Sequence, residues 1–428
     1  MTSQKQIDMN LLSDTNIHLE NKKASRVFFV FIWVMYAFVY MTKNCFSGAL
    51  AAIVDEGSLT LTQASWISAS FYIAYTPLQV LGGIFADKYS PEKLIVVGLL
   101  GSAVSNTVIF FNQNFYVMLA SWIFNAIIQF ALWPAVFKIV SSQLVRSDRS
   151  KMVFFMTFSG SGGLIMAYAV SAFIPKWQYN FAISAIVLTL LAIALMVFCK
   201  CLNPILKKDK PPVEVKDVDP NDDPGRGKTP LAILISGGFM MVLPTIVLKT
   251  MVENGTKTMS STMLSQSYDS ISPMIGNLLN ILIIVAGISG GIILKTFVFP
   301  KIIKNELVCM LVLLLAAIPF TVVLRLVGVL PVWAIVAGLC AVSMLLSSTS
   351  IPTQYYNTHF VRYGLNGTAA GVINAAASFG FVLQYCVFGS VAENYGWSVA
   401  TTMWIVMSAL AAVCIAFAIR PFMRFLKN

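Results

Sequence analysis

The chain has 428 residues, 57% of them hydrophobic and only 11% charged. A soluble domain carries about 25% charged residues, and the mean hydropathy here is +0.78, so a water-soluble globular protein is excluded. The apolar runs do not alternate with polar residues as barrel strands do, which excludes a membrane β-barrel. The net charge of +11 raises nucleic acid as a partner until its placement along the chain is read.

In chain order, residues 1–25 form a polar cytoplasmic tail. The first apolar run is too long for a signal-peptide core, so the first helix is expected to insert directly. Windows of about 20 apolar residues then recur almost to the end, the pattern of an all-α membrane protein with many spans. Twelve transmembrane helices are predicted at 26–53, 64–86, 93–112, 115–143, 152–174, 180–200, 230–256, 272–297, 304–326, 331–354, 367–390 and 397–420. Between the sixth and seventh, residues 201–229 are charged and proline-rich, a composition that buries no core and reads as a linker. It separates an N-terminal six-helix bundle (26–200) from a C-terminal one (230–420), followed by a short tail (421–428). Six and six spans about a cytoplasmic linker is the organisation of a two-bundle transporter.

With both termini and the even-numbered loops inside, 23 of the 29 lysines and arginines face the cytoplasm. Lys176 and Lys257 are placed outside, and Lys43, Lys138, Lys249 and Arg325 within spans. This bias is the positive-inside rule, so the net charge follows from topology and no nucleic-acid partner is expected. The expected location is a plasma membrane, as a monomer surrounded by lipid. The seven cysteines lack paired spacing and read as free thiols. No metal or cofactor motif and no catalytic motif is found, so no cofactor is expected and the protein is not read as an enzyme. The Asn254-Gly-Thr triplet is expected in an outer loop, open to glycosylation.

A charge at the centre of a membrane helix costs at least ~2.5–3.5 kcal/mol, and such residues face protein or water. Tyr36, Tyr40, Lys43 and Ser47 recur at helical spacing along one stripe of span 1. Span 2 carries Tyr72, Tyr75 and Gln79; span 4 carries Asn125, Gln129, Trp133 and Lys138; span 7 carries Thr245, Lys249 and Glu253; span 11 carries Asn374, Ser378 and Tyr385. These stripes predict a polar, aromatic and mostly cationic cavity between the bundles. Lys249 and Glu253, four apart, are read either as a mutual ion pair or as ligand and coupling groups.

The loop GGIFADKYSPEK after span 2, with Gly83, Asp87, Lys88 and Lys93, resembles the loop 2–3 signature of the major facilitator superfamily. It implies a cytoplasmic latch in which Gly83 lets two helices approach closely and Asp87 pairs with a cation on a neighbouring helix. Arg149 in VRSDRSK belongs to a similar short basic loop, whereas the second half has Lys295 where an acid is expected. The motifs YAFVYMTKNCF, WPAVFK, NGTAAGVINAAASFG and YGW resemble those of the organophosphate:phosphate antiporter family. That resemblance implies an anion held by cationic residues of helices 1 and 7. Here Lys43 stands at the first position, and Glu253 aligns with the second, with Lys249 one turn earlier. Gln79 replaces a basic residue of helix 2, and Ser159 stands near a histidine position of helix 5.

The expected function is therefore secondary transport of a small organic anion by alternating access. Lys43, Lys138, Lys249, Tyr36, Tyr40, Gln79 and Asn374 are the expected substrate-binding residues, and Glu253 with Lys249 the expected coupling pair. A phosphorylated metabolite exchanged for phosphate, a carboxylate moved with protons, and a transporter-like sensor stay open at this point.

Overall fold

Short polar residues mark where the apolar runs turn into helices. Asn21 opens α1 (Lys22–Lys43) by accepting from Lys23 N–H at 2.9 Å and Ala24 N–H at 3.2 Å. Asn114 does so for the helix that starts at Phe115, Ser272 for the one at Pro273 and Asn305 for the one at Glu306, in each case occupying a backbone donor that the helix itself leaves open. Proline follows the cap in the helices that begin at Pro91, Pro230 and Pro273, with its fixed φ already helical.

The computed structural model describes residues 17–18, 21–140, 144–145, 148–202, 207–208, 229–363 and 365–427. Most of the predicted linker, and the side chains of Asp87 and Arg149, lie outside the described residues. The described chain is helical apart from an antiparallel pairing of Ile17–His18 with Lys207–Lys208. The helices after α1 are α2 (Cys45–Asp55), α3 (Leu61–Lys88), α4 (Pro91–Phe111), α5 (Phe115–Ile128), α6 (Leu132–Lys138), α7 (Arg149–Phe173) and α8 (Tyr179–Leu202). Past the linker follow α9 (Pro230–Ser236), α10 (Phe239–Thr258), α11 (Ser260–Ser267), α12 (Pro273–Ile293), α13 (Glu306–Leu324), α14 (Val332–Ser348), α15 (Ser350–Thr358), α16 (Asn366–Tyr395) and α17 (Trp397–Lys427).

Every predicted span falls on helix. Among the described residues, nine helical stretches are long and apolar enough to cross a membrane, or ten if the bent pair α9–α10 counts as one. The remaining two predicted spans lie on α3 and α7, 28 and 25 residues long. Serines, threonines and tyrosines dilute the hydropathy of α3, and the apolar stretch of α7 is confined to Phe158–Phe173. Large apolar side chains point outward along many helices, including Val97, Val104, Leu190, Leu315 and Val413. In water such a surface would aggregate; in hydrocarbon it is solvated.

Several spans break near their middle. Span 1 breaks at Asn44, whose Nδ2 donates to Tyr40 O at 2.8 Å beside its own backbone N–H at 3.1 Å, so side chain and backbone together close the turn within the membrane. Span 4 breaks between α5 and α6, where Gln129 Nε2 donates to Ser102 Oγ and Asn125 Oδ1. Span 7 differs from the prediction at both ends. α9 bends by 70° from α10, and helix continues past residue 256 through α11. Lys257 and Asn254 therefore lie inside a membrane helix and not in the outer loop expected for them.

The chain divides into two compact units. The first, Met1–Ala49 with Ile73–Lys216, packs α1 on α7 and α4 on α8 around Phe28, Ile32, Met35, Leu99, Val136 and Leu188. The close α1–α7 packing needs Gly163, where a Cβ would strike the Ala37 carbonyl. The second unit, Leu50–Tyr72 with Asp217–Asn428, packs α12 on α14, α13 on α17, and α10 on both α16 and α17. This differs from a division at the linker alone, because the hairpin Leu50–Tyr72 groups with the C-terminal helices. Its contacts explain why: Glu393 of α16 accepts from Thr62 N–H at 2.5 Å, and the Tyr72 ring lies 5.0 Å from Phe381 and 6.0 Å from Tyr385.

Candidate functional site

In the first unit the polar stripe of span 1 ends on Lys43, the last residue of α1, directly before the break at Asn44. Its ammonium lies 4.6 Å from the Tyr75 ring centroid and 5.5 Å from that of Tyr40. Cation–π contact partly repays a lysine for leaving water, by about 0.5–2 kcal/mol depending on desolvation. Tyr36 and Tyr40 sit 5.2 Å apart edge to face, and Tyr36 packs 4.9 Å from Trp133. Gln79 follows Tyr75 by one turn on the same face of α3. The structure thus brings Tyr36, Tyr40, Lys43, Tyr75, Gln79 and Trp133 into one cluster: a cation walled by aromatic rings with polar tips.

Other predicted residues lie elsewhere. Lys138 donates from Nζ to Ala86 O at 2.7 Å near the end of α3, which ties α6 to the carbonyl end of that helix. Ser159 is buried and donates to Met156 O. A Cβ at Gly83 would meet nothing within 4 Å, which corrects its expected part in a close helix approach. Its neighbour Gly82 fills that part, since a Cβ there would collide with Phe130 O. The helices meet one position earlier because residue 82, and not 83, faces the chain between α5 and α6. Lys88 is exposed, 5.9 Å from the Tyr89 ring.

In the second unit α10 carries a charged triad. Lys249 Nζ and Lys257 Nζ each lie 2.7 Å from Glu253, on Oε2 and Oε1 respectively. The spacing of four residues on either side of Glu253 stacks the three side chains on one helix face. Asn280 Nδ2 donates to Lys257 O at 2.8 Å, which fixes α12 against this turn. Asn254, the expected glycosylation acceptor, donates to Gln384 Oε1 at 2.6 Å inside the helical bundle. Asn374 is exposed on α16, while Ser378 and Tyr385 are buried. Sequence reasoning missed Lys257, although its spacing from Glu253 repeats that of Lys249 on the other side. Where α13 begins and α15 ends, His359 Nε2 lies 2.9 Å from Glu306 Oε1. Among the described residues no group of three His, Cys, Asp or Glu could hold a metal.

Chemically, these centres can hold and desolvate a negative group. They offer no nucleophile–base pair. Residues 32–385 match the sequence profile of the Major Facilitator Superfamily. The chain is 26% identical over 170 residues to the membrane sensor protein UhpC of Salmonella typhimurium, covering 39% of this chain and 38% of that protein. It is 24% identical over 177 residues to the phosphoglycerate transporter protein of the same organism, covering 40% and 38%. The matched region spans about two fifths of the length of those relatives. The fold is similar to that of a bacterial homolog of the human lysosomal transporter Spinster, solved in an inward-facing and occupied conformation. That TM-score is 0.74, with 14% identity and 95% of this chain and 99% of that chain covered.

Proposed function

The chain belongs to the Major Facilitator Superfamily, and from that premise we propose that it is a secondary active transporter of a small organic anion, working by alternating access. The carrying observation is Lys43, a cation within a membrane helix held against the rings of Tyr40 and Tyr75. A membrane helix keeps such a residue where it meets an ion or substrate. Tyr36, Tyr40 and Gln79 supply hydrogen bonds around it, Lys249 and Glu253 act in the second unit, and Lys138 and Asn374 are assigned supporting contacts. The protein works in a plasma membrane with both termini in the cytoplasm, as the distribution of lysine and arginine implies. Asp87, Lys88 and Arg149 are the proposed cytoplasmic gate.

The phosphoglycerate transporter among its relatives favours a phosphorylated metabolite exchanged for phosphate. Proteoliposome uptake decides between exchange and proton symport. Exchange requires internal phosphate, whereas symport collapses when the proton gradient is dissipated. Lys43→Ala is expected to abolish uptake; normal uptake by that variant would remove Lys43 from the site. A second reading, a sensor, is favoured by the similarity to UhpC. It predicts ligand binding without net flux in the same vesicles.

A further inference from the structure

Away from the polar clusters of the spans, the first unit carries a groove where α1 starts and α8 ends. Lys23, Ala24 and Val27 line it from the first turns of α1, and Val197, Phe198 and Cys201 from the last turns of α8. Spacings of four residues align Lys23 with Val27, and Val197 with Cys201, along each wall. Phe198 is held in place by stacking 4.5 Å from Phe31 and 6.0 Å from Phe28. The groove encloses about 560 Å³ and opens to the surface, a volume ordinary for a small-molecule site. Val27 and Val197 are exposed along it.

Its polar end gathers positive charge. Lys22, Lys23 and Arg26 stand in the first two turns of α1 with no acid in the first turn, at the helix end where the dipole disfavours cations. Lys200 lies in the last turn of α8, beside Cys201. Just beyond these helix ends, Ile17–His18 pairs with Lys207–Lys208 and brings two more lysines to the same edge. Asp148 lies 3.5 Å from Arg26 Nε. Among the described residues no ion pair neutralises Lys22, Lys23 or Lys200. An apolar slot thus meets a cluster of cations at one end of two membrane helices. An acyl chain and a phosphodiester joined in one molecule match both parts, and basic pockets between helices at a membrane edge are where anionic headgroups bind.

We infer that this groove binds an anionic phospholipid, with an acyl chain laid between Val27 and Val197 and the headgroup phosphate among Lys22, Lys23 and Lys200. The lipid fastens the start of α1 to the end of α8. Lys43 ends the same helix, about 30 Å from Lys23 at the helical rise, so the lipid site is separate from the Lys43 cluster and does not depend on which solute is carried.

Cys201 is the reporter, since it lines the groove and its thiol is exposed. The full-length chain in a neutral detergent is treated with a maleimide, and modification of the Cys201 peptide is followed by mass spectrometry. Dioleoyl phosphatidylglycerol should slow it at least fivefold, with half-protection at about tenfold lower lipid than dioleoyl phosphatidylcholine requires. One lysine near an anionic lipid is worth about fivefold in affinity. The triple variant Lys22→Gln/Lys23→Gln/Lys200→Gln should therefore need about 100-fold more phosphatidylglycerol for the same protection. Val197→Trp fills the slot, leaves the charge in place and should remove the dependence on lipid. Equal half-protection by the two lipids overturns the site, because it reports only the general lipid shell. Equal protection by sodium phosphate overturns the lipid as occupant and leaves a free-anion site. A Cys201 rate that no lipid changes, or a triple variant that titrates like the parent, overturns it as well.

Discussion

Lys43 and Glu253 show two ways of keeping charge in a membrane helix. Lys43 rests on the Tyr75 and Tyr40 rings, and Glu253 is clamped by two lysines. Replacing Tyr75 by Leu should remove one ring from the ammonium and lower stability by about 0.5–2 kcal/mol, read as a lower Tm in detergent. Lys43→Arg should keep anion binding because the charge persists, whereas Lys43→Met should lose it. Removing one partner of a buried ion pair costs about 3–5 kcal/mol because it strands the other charge. Glu253→Gln strands two ammoniums, so it should melt well below the parent. Lys249→Met leaves Glu253 paired with Lys257 and should cost less.

At the scale of elements, the breaks in the spans are built from side chains bonding to backbone. Asn44 Nδ2 occupies Tyr40 O at 2.8 Å at the junction of α1 and α2. Asn44→Ala removes one side-chain bond while the backbone N–H of residue 44 keeps Tyr40 O paired, so it should cost about 0.5–1.5 kcal/mol and loosen the turn that carries Lys43, seen as a lower Tm together with weaker anion binding. The packing of α1 on α7 depends on Gly163, where any Cβ meets Ala37 O and Tyr40 Cβ. Overpacking of this kind typically costs about 1–3 kcal/mol. Gly163→Val should lower Tm by that mechanism, whereas Gly83→Ala, which meets nothing within 4 Å, should leave Tm unchanged. The helical spans and their stripes were legible from hydropathy and periodicity. The breaks were not, since window averages run smoothly over Asn44 and Met259.

Across the whole molecule, the hairpin Leu50–Tyr72 belongs with the C-terminal helices. Thr60 and Gln63 form a reciprocal capping box at the start of α3, with bonds of 3.1 and 3.2 Å. Glu393 adds its carboxylate to Thr62 N–H, where the positive end of the helix dipole favours it. Further in, Tyr72 packs with Phe381 and Tyr385. Glu393→Ala should free this end, and hydrogen exchange of the amides around 60–66 should quicken several-fold with little change elsewhere in α16, because helix ends open locally before the core does.

The sequence by itself determined the membrane class, the placement of the helices, the concentration of lysine and arginine in alternate loops, and the stripe of Tyr36, Tyr40, Lys43 and Ser47. All of these follow from composition and helical period, which are local properties of the chain. It also placed Lys249 and Glu253 within reach of each other, because residues four apart share a helix face. The tertiary structure decided where helix 7 continues, and so moved Lys257 from a loop to the triad. It also decided that Gly82 and not Gly83 meets a neighbouring chain segment, and that Ser343 and Ser347 of α14 stand beside Lys257 across Gly287 of α12. Those facts depend on which faces of distant segments pack together, and no local pattern of residues encodes that choice.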